Sequence, residues 1–425
     1  RQVYNWADYI DEDVLAEFPE WYKEQTGEDI EVIYQVFDIN EVMLTKIERG
    51  HEDFDVVCPS EYIIERMMRK DMLLPINRDF GKTPDYIPNL APYIQDELNK
   101  MCMDERKVTD YAVAYMWGTA GVLYNKALVS EEEAIACRSL WDPKFANKIL
   151  MKDSYRDCYG LAIIYANADR LQKGEVTVEQ LMNDNSHEAI AMAEEYLKAL
   201  KPNIAGWEAD FGKEMMTKGK AWMNFTWSGD AVWAIEEADA VGVSLNYAVP
   251  VEGSNVWFDG WVIPKYARNV RAARYFIDYM CMPENAIRNM DATGYVSVVA
   301  TQEVYDSLED LCYCEPEVCD LSYFFVGDDG APIEGSEAVV ADPVLFPDRS
   351  IIERSGVMHD SGDRTDKMLE MWSRVKGDNL STGMLVGIIL FFSAMLIWGI
   401  ARKIATYRKH RKHMKRRHKY AKESK

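Results

Sequence analysis

The sequence predicts an α/β fold whose lobes are each a mainly parallel sheet flanked by helices. Two observations carry that expectation. The first 75 residues alternate short strands with amphipathic helices, and strands joined through helices imply parallel pairing with right-handed crossovers. Farther on, Tyr111–Tyr124 (YAVAYMWGTAGVLY) reads as a long strand with a break at Gly118, the kind of segment that carries a chain from one lobe to another.

The elements follow in order. Gln2–Asn5 reads as a strand, and Glu12–Gln25 as a helix with Phe18, Trp21 and Tyr22 on its apolar side and Gly27 as its stop. Ile30–Val36 is a second strand. Asn40 is placed to cap a helix Glu41–Arg49, closed by Gly50. Phe54–Cys58 is a third strand, and Pro59-Ser60 separates it from a helix Glu61–Lys70. Downstream, Lys148–Lys152, Ala221–Trp227 and Val256–Pro264 read as buried strands, residues 157–200 as mostly helical, and Ala272–Met280 as a helix. Residues 306–348, rich in Cys, Gly, Pro and acids, read as an irregular surface elaboration, within which a disulfide among Cys312, Cys314 and Cys319 is more plausible than zinc.

Charge is distributed unevenly. Residues 401–425 hold twelve Lys/Arg against one acid, Glu423; removing that excess from the formal −23 leaves about −34 on residues 1–400. So acidic a body is a poor nucleic-acid binder and favours cationic ligands. Asn379 to Ala401 contains no charged residue, and about 20 apolar residues at 1.5 Å each span a bilayer core. With Trp398 at one boundary and the basic segment following at once, residues 379–401 are expected to cross a membrane. Residues 402–425 would then be a cytoplasmic tail and the acidic body would lie outside. Export would require a leader removed ahead of Arg1.

Three segments pair an indole with a nearby carboxylate: Trp6-Ala7-Asp8-Tyr9, Trp227-Ser228-Gly229-Asp230 and Trp257-Phe258-Asp259. Aromatic faces attract a cation and carboxylates accept its N–H bonds, so the pattern suits a small organic cation. In open α/β sheets ligands bind beyond the carboxyl ends of the strands, where Trp6, Asp8, Tyr9, Ser60, Glu61 and Tyr62 fall. Helix N-termini there ordinarily attract anions, and filling the place with aromatics and acids argues against phosphate. The six His form no triad, and no phosphate-binding loop, dinucleotide turn or nucleophile elbow is present. The chain therefore reads as a binding protein with no cofactor and no metal, and not as an enzyme.

Seven ordered blocks, YNWADYI, FDVVCPSEY, YAVAYMWGTAGVLYN, LWDPKFANKILM, WSGDAV, WFDGWVIP and TGYVS, resemble those of the periplasmic spermidine/putrescine-binding proteins, the receptors of polyamine ABC importers. The resemblance runs from about residue 3 to 300 and implies the two-lobed periplasmic-binding-protein fold of type II. Lobe 1 would hold 1–117, lobe 2 118–257, with 258–300 returning to lobe 1 and 301–378 completing lobe 2. The resemblance implies that Trp6, Tyr9, Ser60 and Tyr62 contact ligand from the first lobe. Asp157 would stand where the family has a glutamate, and Trp227, Asp230, Trp257, Asp259 and Tyr295 would complete the box. It also implies ABC permease subunits as partners. The chain departs from the family pattern at Ala7, Ser154 and Ala209; Asp230 matches the putrescine-preferring pattern, and His359 falls where a glutamine is common. Competing readings are a receptor for another small organic cation, such as a cationic amino acid, and a sensory ectodomain.

Overall fold

The computed structural model describes residues 2–50, 53–101, 105–208, 212–377 and 390–403. Its first strand, β1 (Gln2–Trp6), lies parallel to both β2 (Ile33–Phe37) and β3 (Val56–Val57). The helix Glu12–Thr26 connects β1 to β2; the Asp11 carboxylate caps its start and Gly27, at φ 75°, ends it in the left-handed conformation that glycine adopts without strain. Its buried face sets Phe18 against Phe276 and Tyr279, at ring separations of 5.2 and 5.3 Å.

The remaining strands of the main sheet are β4 (Leu73–Leu74), β5 (Ala112–Asn125), β6 (Ile149–Lys152), β7 (Ile204–Glu208), β8 (Met223–Trp227), β9 (Leu245–Ala248), β10 (Ser254–Pro264), β11 (Val296–Ser297) and β14 (Ser355–Gly356). Their order is β2-β1-β3-β10-β5-β8-β6-β7, with β4, β9, β11 and β14 pairing off this path. Both ends of the path are parallel, as expected. The middle is not, because β10 runs antiparallel to β3 and β5, and β5 antiparallel to β8. The sheet is therefore mixed. The fully buried β5 joins its halves: β10 and β11 flank residues from Ala112 to Thr119, and β8 and β9 flank those from Ala120 to Asn125.

The expected break at Gly118 does not occur; β5 runs straight through it. The glycine serves close approach instead, since a Cβ there would stand 2.4 Å from Ser228 Oγ and 2.8 Å from Trp257 Cζ2.

Residues 306–348 are more than a surface elaboration. They form a hairpin of β12 (Glu317–Cys319) and β13 (Val339–Ala341), and Phe324 stacks on the core indole of Trp117 at 4.9 Å. Cys312, Cys314 and Cys319 are free thiols, which corrects the disulfide expectation. Buried Asp342 organises the turn in place of a disulfide, accepting the backbone N–H groups of Tyr313, Cys314 and Val344.

After β14 (Ser355–Gly356), which pairs with β10, the chain crosses between two helices. His359 bonds Glu65 of the helix Glu61–Arg69 (3.3 Å) and Glu179 of the helix Val178–Asn183 (2.8 Å). Asp360 pairs with Arg66 and Arg69, and Ser361 accepts from Arg156. Hydrogen bonds to Glu179 and Glu65 raise the His359 imidazole to about 9. A raised histidine stabilises fully below its unfolded value of about 6.5, and that contribution is lost as pH rises through 9. His359→Gln is expected to cost up to about 3 kcal/mol at pH 6 and to flatten the fall in thermal stability between pH 7 and 10. An identical fall in both proteins would exclude this role.

Arg1–Leu369 forms one compact unit and Glu370–Lys425 a second. Among the described residues no helix is long and apolar enough to cross a membrane. Of the span expected at 379–401, residues 379–389 lie outside the described residues. Residues 390–403 are helical, with Leu390, Phe391, Phe392, Leu396, Ile397 and Trp398 exposed. Most of the basic tail, 404–425, lies outside the described residues, as do Cys102 and Ala209.

Candidate functional site

Three of the expected residues meet at one carboxylate. Asp259, on β10, is buried; Tyr9 Oη donates to its Oδ2 at 2.8 Å and Ser60 Oγ to its Oδ1 at 2.6 Å. The backbone builds this contact. The register of β10 against β5 slips between Asp259 and Gly260, while Ser60 and Asp259 form an isolated antiparallel bridge; such irregularities re-aim side chains next to functional sites. Ser60 is the N-cap residue of the helix Glu61–Arg69, yet its side chain makes no capping bond. Its hydroxyl goes to Asp259 and accepts from Asn40 Nδ2 at 3.0 Å. Asn40 likewise does not cap as expected: it is the first residue of its helix and turns its amide toward Ser60 and Tyr62.

Burial pushes the Asp259 carboxyl up to about 7, against the opposing hydrogen bonds from Ser60 and Tyr9. Its neighbour Glu61, fully buried and accepting the Phe258 N–H at 3.1 Å, is held well above the usual carboxylate range by burial and then by the Asp259 charge. These are acids held in a dry place with too little positive charge nearby. Such a place favours a cation arriving from outside.

A second group lies at the carboxyl ends of β6 and β8. Trp227 Nε1 donates to Asp157 Oδ2 at 3.1 Å, and burial raises the Asp157 carboxyl despite bonds from Ser154, Trp227 and Asn255. Asp230 is differently placed. Its Oδ2 lies 2.6 Å from Lys152 Nζ, and its Oδ1 accepts the Tyr295 hydroxyl at 2.8 Å. Burial works to raise Asp230, but the Lys152 and Lys213 charges together with the hydrogen bonds from Lys152 and Tyr295 outweigh it and hold the carboxyl below its ordinary value.

Aromatic rings join the two groups. Tyr295 stands edge-on to Tyr9 (5.2 Å) and to Trp257 (5.6 Å), and Trp6 edge-on to Trp227 (6.4 Å). Tyr62 is set apart: its hydroxyl bonds Glu41 at 2.9 Å and accepts from Asn40 at 3.3 Å, so it reaches Asp259 only through Asn40 and Ser60. Gly229 permits the Tyr295 placement, since a Cβ there would come within 2.3 Å of that ring. Gly229→Ala is expected to destabilise the protein by roughly 1–3 kcal/mol through overpacking; thermal denaturation at an unchanged midpoint would show that the ring moves freely.

Sequence reasoning missed Lys152 and Glu208, and it read Asn40 only as a helix cap and Glu61 only as an acid at the carboxyl end of the third strand. Lys152 ends β6 and Glu208 ends β7, so the carboxyl-end rule that singled out Trp6 and Ser60 would have flagged both.

Residues 20–309 match the family described as bacterial extracellular solute-binding protein. The chain belongs to this family. It is a family of binding proteins and not of enzymes. Among curated relatives, the spermidine/putrescine-binding periplasmic protein of Salmonella typhimurium is 25% identical over 374 residues, covering 88% of this chain and 90% of the relative. The putrescine-binding periplasmic protein PotF of Escherichia coli is 28% identical over 304 residues, covering 69% and 76%. A solved spermidine/putrescine ABC transporter substrate-binding protein from Streptococcus pneumoniae superposes with a TM-score of 0.62 at 29% identity, covering 88% of this chain and 98% of that one. The fold is thus the α/β periplasmic-binding-protein fold, and the family is extracytoplasmic.

Proposed function

We propose that the chain is an extracytoplasmic receptor that binds a polyamine of the putrescine/spermidine class and hands it to the permease subunits of an ABC importer. The observation that carries this reading is Asp259: a buried carboxylate, held by Tyr9 and Ser60 and raised by burial, with aromatic rings nearby. An ammonium entering such a site must surrender its water, so it needs a carboxylate and further acceptors. The methylenes between amines need apolar walls, which Trp6, Tyr9, Trp227, Trp257 and Tyr295 supply, with about 0.5–2 kcal/mol of cation–π attraction each. Asp157 is the second ligand-facing acid, with Tyr62 supporting Ser60 through Asn40. The names of the relatives support the same ligand class.

In this reading residues 1–117 with 258–300 form one lobe and 118–257 with 301–378 the other, and they close over the ligand. A cationic α-amino acid would need an Arg or an N–H cluster for its carboxylate, and the seven blocks contain no Arg. The test is calorimetric titration of the full chain with putrescine, cadaverine, spermidine and lysine. Micromolar or tighter binding of a polyamine with lysine silent supports the reading; silence across the panel from folded, ligand-free protein rejects it.

We extend the proposal to a membrane tether at residues 379–401, supported by the uncharged run from Asn379 to Ala401 and the exposed apolar side chains of 390–400. Retention in the membrane fraction after alkaline carbonate washing is the expected result, and full release contradicts it.

A further inference from the structure

We propose that Lys152 is a built-in ammonium that fills one cation position of the site and makes the receptor select diamines over triamines. The inference rests on the polyamine reading and deepens it.

Three contacts define the position. Lys152 Nζ lies 2.6 Å from Asp230 Oδ2 and 3.3 Å from Glu208 Oε1, and 4.8 Å from the centroid of the Trp227 ring. Carboxylates plus an indole face are what a ligand ammonium needs, and here a side chain of the same chemistry occupies them. The ammonium is almost wholly buried, with 3% of its side chain exposed. Burial works to lower it, but the Asp230 and Glu208 charges prevail and keep it protonated.

Asp230 therefore already has an ammonium partner before any ligand arrives. Of the expected ligand acids, Asp259 and Asp157 are left, neither in an ion pair among the described residues, while Glu61 beside Asp259 gives its Oε2 to the Phe258 N–H. Two acids match two ammonium groups. A third ammonium would meet Lys152, and like charges in a dry site repel strongly. Asp230 therefore tunes ligand length only through the cation bound to it.

The test compares putrescine with spermidine by calorimetry, using the full chain as wild type, Lys152→Arg and Lys152→Gln. Wild type is expected to bind putrescine at least tenfold more tightly than spermidine. Lys152→Arg keeps that ratio, and Lys152→Gln moves it at least tenfold toward spermidine. A ratio in Lys152→Gln within twofold of wild type overturns the inference, as does wild type preferring spermidine. If Lys152→Gln fails to fold, the double variant Lys152→Gln/Glu208→Gln leaves one fewer acid unpaired and carries the same expectation, and the wild-type ratio decides independently. Wild type binding neither amine rejects the polyamine reading and the inference with it. Wild type binding both amines, with a ratio that Lys152 does not move, rejects the inference alone.

Discussion

Asp259→Asn is expected to weaken putrescine binding by about 3–5 kcal/mol, a hundredfold to several-thousandfold loss, because it strands an ammonium in a dry cleft without its counter-charge. Asparagine keeps an oxygen for the Ser60 or Tyr9 hydroxyl, so the loss reports charge and not shape. The ligand-free variant should be at least as stable as wild type, since the native carboxyl is raised by burial and its ionised form costs folding energy. Calorimetry and thermal denaturation together separate the two effects. A variant that binds as wild type does would remove Asp259 from the site.

The second large effect is on pH. The Asp259 carboxyl sits at about 7 in the ligand-free protein, and a cation binds its ionised form. Affinity should therefore fall by about tenfold per unit as pH drops below 7 and level off above about 8. The groups around it reinforce this sign. Glu61, Cys58 and Tyr9 are all pushed up by burial, and Asp157 adds to the upward shift of Asp259. Stability runs the other way. The folded value lies above the unfolded one, so this group favours folding at low pH, and that contribution disappears as pH rises through 7. Binding measured from pH 5.5 to 8.5 tests the slope, which should vanish in Asp259→Asn. A flat profile in wild type would mean that the ligand meets no titrating acid.

The first half of the fold was readable because its signals are local. Asp11, Gly27 and the Phe18–Tyr22 face mark one helix without reference to anything distant, and Tyr9, Ser60 and Asp259 all sit where strands end or pair irregularly. Interactions that span the chain were not readable. Lys152 and Asp230 are far apart in sequence, and a lysine at a strand end looks like an ordinary solvated residue until Trp227 covers it. Ser60 and Asn40 both carry helix-cap signatures, and both direct their side chains to the site instead. Gly118 looked like a break because close packing against Ser228 and Trp257 leaves no trace in the local pattern. The β12–β13 hairpin is three residues per strand, too short for alternation to show.

The central claim is that Asp259 receives a ligand ammonium, and a crystal structure of the full chain grown with putrescine tests it most directly. The account predicts one ammonium nitrogen at about 2.7–3.0 Å from the Asp259 carboxylate, the methylenes lying among the Trp and Tyr rings, and Lys152 still paired with Asp230. Putrescine bound elsewhere, with Asp259 contacted only by Tyr9 and Ser60, would contradict it.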